Sequence, residues 1–529
     1  MFVLNTILIS DPIQEEGIVS LLEDSRCVIL QKHVNDATKE ELEKVDALMV
    51  RSGTQVTDEV MDKMPNLKII GRAGVGVDNI QIEQASNRGI LVINAPNGNT
   101  ISTAEHTFAM MAGLLRKIPQ ATQSIKSGEW NRKQFQGQEI YGKTLGIIGF
   151  GRIGTELSKR VKAFGMNILV YDPFLTEERA KKNGVTLAEE LDYLLENSDI
   201  ITVHTPLTED TRHLINQENI YKTKKGVYFL NCARGGIIEE DALYQGIVSG
   251  HVRGAALDVF DVEPPTNRNL LELEEVVATP HIAASTEEAQ TNVAKQISED
   301  FLRFIDGDPV SSAINLPQLT KDEFTVLSPF FDLVKQMGNF TSQCMKSPVK
   351  KVNITYGGKI TELDTQILSR WFVRGFLNSR VDQTINEVNA FQVCQQRGIS
   401  FSETLQDDTH GFTNIIEATI YGEKQSFTIM GTYIPEVGPR IIRLNGFSVD
   451  FYPENSLLYI HHNDQPGVIG MVGQFLGNEG LNIATMVVGR KSAGGDAIMV
   501  LSFDEPVPTH IVEQIQSNPM ITNCQRINM

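Results

Sequence analysis

The sequence predicts an α/β protein with two doubly wound parallel sheets, followed by an α+β segment and a small ferredoxin-like module. Three observations carry this reading. The stretch 143–173 runs apolar strand, glycine turn, helix, apolar strand. Short apolar runs alternate with amphipathic segments both before and after it, the pattern of βα units. From 456 onward the order changes to βαββα with a final strand near Gln525, a ferredoxin-like sequence of elements.

A chain of 529 residues is too long for one hydrophobic core and divides into several. Between 5 and 96, apolar runs at 6–10, 27–30, 47–50, 67–71 and 90–94 are separated by helical patterns such as 38–45 and 57–63. Two of those runs end in polar loops, Arg51-Ser52-Gly53-Thr54 and 72–79. Ligands of open parallel sheets sit beyond the carboxyl ends of the strands, so both loops are site candidates. Asn99 or Thr100 is placed to cap a helix over 104–117 that bridges the two α/β units. The polar segment 127–137 carries Arg132 and Lys133, which could reach an anion or simply form a solvated face.

The central unit is the most specific. Gly149, Gly151 and Gly154 fill the G-x-G-x-x-G positions between a buried strand at 144–148 and a helix. The first glycine allows a tight turn, the second lets backbone approach a pyrophosphate, and the third lets helix and strand pack closely. Asp172 closes the next strand, where a carboxylate accepts hydrogen bonds from a ribose. It would repel a 2′-phosphate, so NAD is expected over NADP. A helix at 176–183, strands at 200–204 and 227–231, a helix at 239–249 and strands at 254–259 and 276–278 complete the second sheet. A helix over 285–306 returns to the first unit, and 309–318 reads as a linker. The segment 321–446 mixes both periods and carries neither a glycine fingerprint nor an acid–base cluster. The expected domains are 1–97 completed by 291–316, 98–290, 317–454 and 455–529.

Composition narrows the function further. A net charge of −19 argues against a general nucleic-acid binder, which needs clustered Lys and Arg. The five cysteines are scattered without C-x-x-C pairs, which gives no metal signature and suits a reducing cytoplasm. No secretory leader pattern and no membrane-length apolar run is present, so a soluble, unprocessed chain is expected.

The chemistry concentrates at three strand ends of the second sheet: Asn231-Cys232-Ala233-Arg234-Gly235-Gly236, 258–265, and Thr279-Pro280-His281. Oxidising a 2-hydroxy acid requires a base for the hydroxyl proton and a cation for the carboxylate. His281 suits the first role and Arg234 the second, while Glu263 is placed to fix the imidazole's tautomer. Each alone could be structural. Their convergence around one dinucleotide unit is harder to attribute to chance.

GFGRIG with its downstream Asp172, NCARGG, ALDVF-x-x-EPP and TPH together resemble the D-isomer-specific 2-hydroxyacid dehydrogenases. The resemblance implies a Rossmann-type cofactor domain, a flavodoxin-like substrate domain, and catalytic roles for Arg234, Glu263 and His281. It implies NAD contacts at Val75, Arg152, Ile153, Asp172, Thr205, Cys232, Ala233, Arg234, Asp258 and His281 beside the three glycines. It also implies substrate contacts at Arg51, Ser52 and Gly74, with Arg132 and Lys133 as phosphate ligands. VRSGT, GRAGVGVDN, HHNDQPG and GLNIATM are similar to long-form members that oxidise 3-phosphoglycerate on the route to L-serine and end in an ACT module. That implies a homodimer or homotetramer and a serine effector at His462, Asp464 and Asn482. The alternatives on the same residues are a glyoxylate or hydroxypyruvate reductase and a non-catalytic NAD sensor.

Overall fold

The computed structural model describes residues 5–529. The first sheet runs in the order Cys27–Gln31, Asn5–Ile9, Val45–Val50, Ile69–Arg72, Leu91–Asn94, all parallel. That is the doubly wound flavodoxin-like order, and both of its faces are covered, which explains why its strands read as nearly continuous apolar runs. The helix Glu287–Asp306 returns from the far end of the second unit to close this one: Ile297 and Phe301 pack where Gly71 leaves no room for a side chain.

The second sheet runs Val276–Ala278, Val252–Leu257, Val227–Asn231, Ile200–Val203, Thr144–Ile148, Asn167–Tyr171, Thr186–Leu187, again parallel. The order reverses between Thr144–Ile148 and Ile200–Val203, and that switch point opens the crevice in which dinucleotides bind. Three short elements of this unit escape the periodic reading, the strand Thr186–Leu187 and the helices Leu191–Asn197 and Arg268–Leu271. The bridging helix spans Thr100–Leu115, with Asn99 at its cap position but making no side-chain cap bond. A further helix, Ile118–Lys126, follows it.

The segment 309–318 is not a free linker. Ala313 pairs with Ile93, and Asn315 binds the Val92 amide and the Ile90 carbonyl along the outer side of Leu91–Asn94. An edge strand has unpaired backbone groups, and this strap supplies partners for them.

Beyond it stands a six-stranded mixed sheet in which only Val349–Gly358 and Ser400–Gln406 pair in parallel, with helices Pro329–Cys344 and Gln366–Asn378 packed together on it. The last module is a four-stranded antiparallel sheet ordered Ile483–Arg490, Asp496–Phe503, Ser456–Asn463, Ile521–Asn528, with helices Val468–Asn478 and Thr509–Gln516. One face of that sheet, with Leu458 and Ile460, packs on its own helices. The opposite face, with Leu457 and Tyr459, joins the core of the preceding domain, where Phe340 and Phe427 meet the Tyr459 ring.

Candidate active site

The crevice at the switch point is about 440 Å³ and is lined from both α/β units: Val75 and Gly76 from the first, Gly151, Arg152 and Ile153 from the glycine turn, and Arg234 and His281 from the later strand ends. Gly149 takes φ +91°, which a side chain tolerates poorly, and Gly154 would place a Cβ 2.5 Å from the Gly149 carbonyl oxygen. Gly151 differs from both. Nothing lies within 4 Å of a Cβ built there, so its missing side chain serves open space in front of the Arg152–Ala163 helix.

That space fits a dinucleotide. The Asp172 carboxylate is oriented by amides on both oxygens, Phe150 N–H at 2.7 Å and Phe174 N–H at 2.8 Å. Each oxygen keeps lone pairs for ribose hydroxyls. Thr205 Oγ1 and His204 Nδ1 are buried at the crevice without a partner, as groups awaiting a ligand would be. His204 is enclosed, and burial pulls its pKa down to about 4. Cys232 and Ala233 also line the crevice. Asp258 does not. It is fully buried, and its two oxygens accept from the Thr279 hydroxyl and from the Ile282 and Ala283 amides. Burial pushes the Asp258 carboxyl up, but these hydrogen bonds and one from His106 outweigh it and hold the pKa below the usual range. In this arrangement Asp258 supports the turn that carries His281.

His281 and Glu263 meet as the sequence predicts, with Nδ1 2.8 Å from Oε2. Glu263 is itself held by the Phe260 amide at its other oxygen, 3.2 Å away. An acceptor at Nδ1 puts a hydrogen there and leaves Nε2 of a neutral imidazole as the base. Arg234 lines the same crevice as His281. Its Nη2 passes where Gly76 lacks a side chain, its Nη1 donates to the Ala233 carbonyl at 2.8 Å, and its Nε lies 3.3 Å from Asp78.

Arg51 and Ser52 stand one strand over, outside the crevice lining. Asp11 accepts from the Arg51 amide at 2.5 Å, and Asn79 donates to the carbonyls of Arg51 and Thr54, so the turn is fixed. Gly74 is buried against the Arg72 guanidinium. Arg72 opens the candidate loop 72–79, but sequence pattern alone gives it no role of its own. Burial first, and then the positive charges of Arg234 and Arg51, bring its pKa down to about 10, so these cations share one local field. Its position as the last residue of a buried strand, at a carboxyl end, marks the loop, while its closeness to Arg234 and Arg51 depends on the fold. Arg132 and Lys133 are exposed and outside the crevice.

In the last module the effector residues are not gathered into one acceptor set. Asp464 is engaged by the Gly494 amide at 3.1 Å and Arg490 at 3.0 Å, which lower its pKa. His462 is buried with Nδ1 on the Asn463 carbonyl and Nε2 unpartnered, and Asn482 is exposed before the edge strand Ile483–Arg490.

A hydride-transfer enzyme for a small 2-hydroxy acid is the class that such a crevice fits. The family model for the D-isomer specific 2-hydroxyacid dehydrogenase NAD binding domain matches residues 108–283, that for the D-3-phosphoglycerate dehydrogenase intervening domain matches 326–445, and that for the ACT domain matches 456–519. The chain belongs to the D-3-phosphoglycerate dehydrogenase family. It is 54% identical over 523 residues, 99% of each chain, to D-3-phosphoglycerate dehydrogenase of Bacillus subtilis. It is 42% identical, again over 99% of each, to that of Methanocaldococcus jannaschii. Among solved structures, D-lactate dehydrogenase of Aquifex aeolicus complexed with NAD and lactic acid is 33% identical, with a TM-score of 0.51 over 57% of this chain and 96% of its own.

Proposed function

We propose that the enzyme oxidises 3-phospho-D-glycerate to 3-phosphooxypyruvate with NAD, the first step of the phosphorylated route to L-serine. The observation that carries this is that Arg234 and the Glu263-bonded His281 line one crevice together with the glycine turn. Bound NAD would supply the hydride acceptor. His281 Nε2 takes the proton of the C2 hydroxyl, and Glu263 stabilises the imidazolium that results. Arg234 holds the substrate carboxylate and polarises the forming carbonyl. Arg51, Ser52 and Gly74 form the substrate side, and the shared field of Arg51 and Arg72 favours a phosphate there. The NAD contacts are Val75, the three glycines, Arg152, Ile153, Asp172, Thr205, Cys232 and Ala233, with Asp258 acting through the turn it supports.

The same reading divides the chain at 1–97 with 291–316, 98–290, 317–454 and 455–529, and places the enzyme in the cytoplasm, where its five free cysteines stay reduced. We include a homodimer or homotetramer, supported by the exposed rings of Trp130 and Tyr141 flanking Arg132 and Lys133, which would then serve a neighbouring subunit's substrate. L-Serine is the proposed effector of the ACT module, at His462, Asp464 and Asn482. The test is NADH formation with 3-phosphoglycerate against unphosphorylated glycerate, with and without L-serine. Equal rates on the two substrates would replace this reading with that of a glyoxylate or hydroxypyruvate reductase, and no turnover with that of an NAD sensor.

A further inference from the structure

His281 sits in a backbone conformation that it would not choose alone. Its φ is +52°, the left-handed region, which costs a non-glycine residue about 1–2 kcal/mol. Such a conformation persists only where its surroundings over-determine it. Asp258 does this from both sides: Thr279 precedes the histidine, Ile282 and Ala283 follow it, and all three donate to the one buried carboxylate.

A fourth group completes the cluster. His106, on the helix Thr100–Leu115, places Nε2 3.2 Å from Thr279 Oγ1 and 3.3 Å from Asp258 Oδ1. Thr279 has one hydroxyl hydrogen, and at 2.6 Å it is committed to Asp258. Asp258 only accepts. Nε2 of His106 must therefore be the donor to both. The same helix starts at the crevice, where Asn99, Thr100 and Thr103 are part of the lining, and Glu105 ties it to Arg160 on the helix behind the glycine turn at 2.9 Å. His106 thus connects the wall beside the cofactor to the turn that carries the catalytic imidazole.

We propose that His106 is a positioning residue for the reaction, acting through Thr279 and Asp258 to set the direction in which His281 Nε2 faces the substrate. The inference rests on the acid–base assignment of His281 above. Removing the donor would leave the Thr279 oxygen with no hydrogen to accept, its own hydroxyl still given to Asp258, and let the turn relax from its strained conformation. Misplacing a catalytic group by about 1 Å can cost up to 100-fold in rate, while binding at a distant surface is little changed.

The experiment compares His106→Leu, His106→Gln, Thr279→Val and Thr279→Ser in the full-length enzyme, reading kcat for NADH formation from 3-phosphoglycerate, NAD affinity by calorimetry, and Tm. Glutamine offers an amide N–H at nearly the reach of imidazole Nε2, and serine keeps the hydroxyl. His106→Leu and Thr279→Val should lower kcat about tenfold or more with NAD affinity within about twofold of wild type, and Gln and Ser should recover most of the rate. A kcat for His106→Leu within about twofold of wild type, or equal impairment of His106→Leu and His106→Gln, overturns the proposal. If His106→Leu does not fold, the threonine pair decides, and equal kcat for Val and Ser refutes it. Wild-type enzyme that fails to turn over 3-phosphoglycerate would instead sink the functional reading, a result visible before any variant is made.

Discussion

Gly151→Ala separates the two jobs that a glycine fingerprint can have. A Cβ at this position meets no atom within 4 Å, and φ of −73° is open to any residue, so the folded chain accepts alanine. Alanine restricts the unfolded chain, which stabilises by about 0.4–1 kcal/mol. It is also a poorer helix cap than glycine by a similar amount. The two effects offset, and Tm should move by no more than a few degrees. The methyl group nonetheless projects into the space in front of the helix N-terminus, where amide donors receive a pyrophosphate. Losing one charge-assisted hydrogen bond costs about 1.5–3 kcal/mol, or about 10- to 100-fold in NAD affinity. Calorimetric titration and thermal unfolding on one preparation read both quantities. Gly154→Ala is the contrast, because its Cβ would meet the Gly149 carbonyl oxygen at 2.5 Å and the fold itself must give. Wild-type NAD affinity in Gly151→Ala, or a loss of stability equal to that of Gly154→Ala, would refute the assignment of that space to the cofactor.

Other outcomes follow from the same geometry. Arg234→Lys keeps a charge but loses the fork that bonds Ala233 and faces Asp78, so kcat/KM should fall by about two orders of magnitude; an unchanged value would make Arg234 structural. His204, neutral in the fold with a pKa of about 4 against 6.5 when unfolded, makes the unfolded state the better proton acceptor between those values. Stability should be complete above pH 6.5 and decline by about 2 kcal/mol by pH 5, and His204→Asn should flatten the pH dependence of denaturant unfolding by that amount. Burial pushes Cys232, Cys394 and Cys524 up to about 12 and Cys344 higher still, so in the native enzyme a thiol reagent at pH 8 should label Cys27 first, with the other four reacting only on denaturation.

The features legible in the sequence are those whose cause is local. Gly154 answers to the Gly149 carbonyl in its own turn and Gly149 to its own positive φ, and the apolar runs of both parallel sheets follow from burial on two faces. What stayed hidden depends on partners brought from afar. His106 reads as one more polar residue in the mixed first half of its helix, because Thr279 lies 173 positions away. Asp464 reads as a free acceptor for an ammonium group until the fold supplies Arg490 and the Gly494 amide. The strap at 309–318 looks like a linker because its partners are backbone groups of an edge strand, which leave no mark in composition. One long-range feature did leave a mark. Leu457, Leu458, Tyr459 and Ile460 are apolar in succession, where a half-exposed strand would alternate, and the run records burial on both faces of the last module's sheet. Its second face is therefore part of the core shared with the preceding domain through Phe340 and Phe427. A packed core shifts between discrete arrangements and does not yield smoothly. The same intervening domain also meets the first α/β unit, where Asn386 donates to the Gly89 carbonyl and Val388 enters that unit's core.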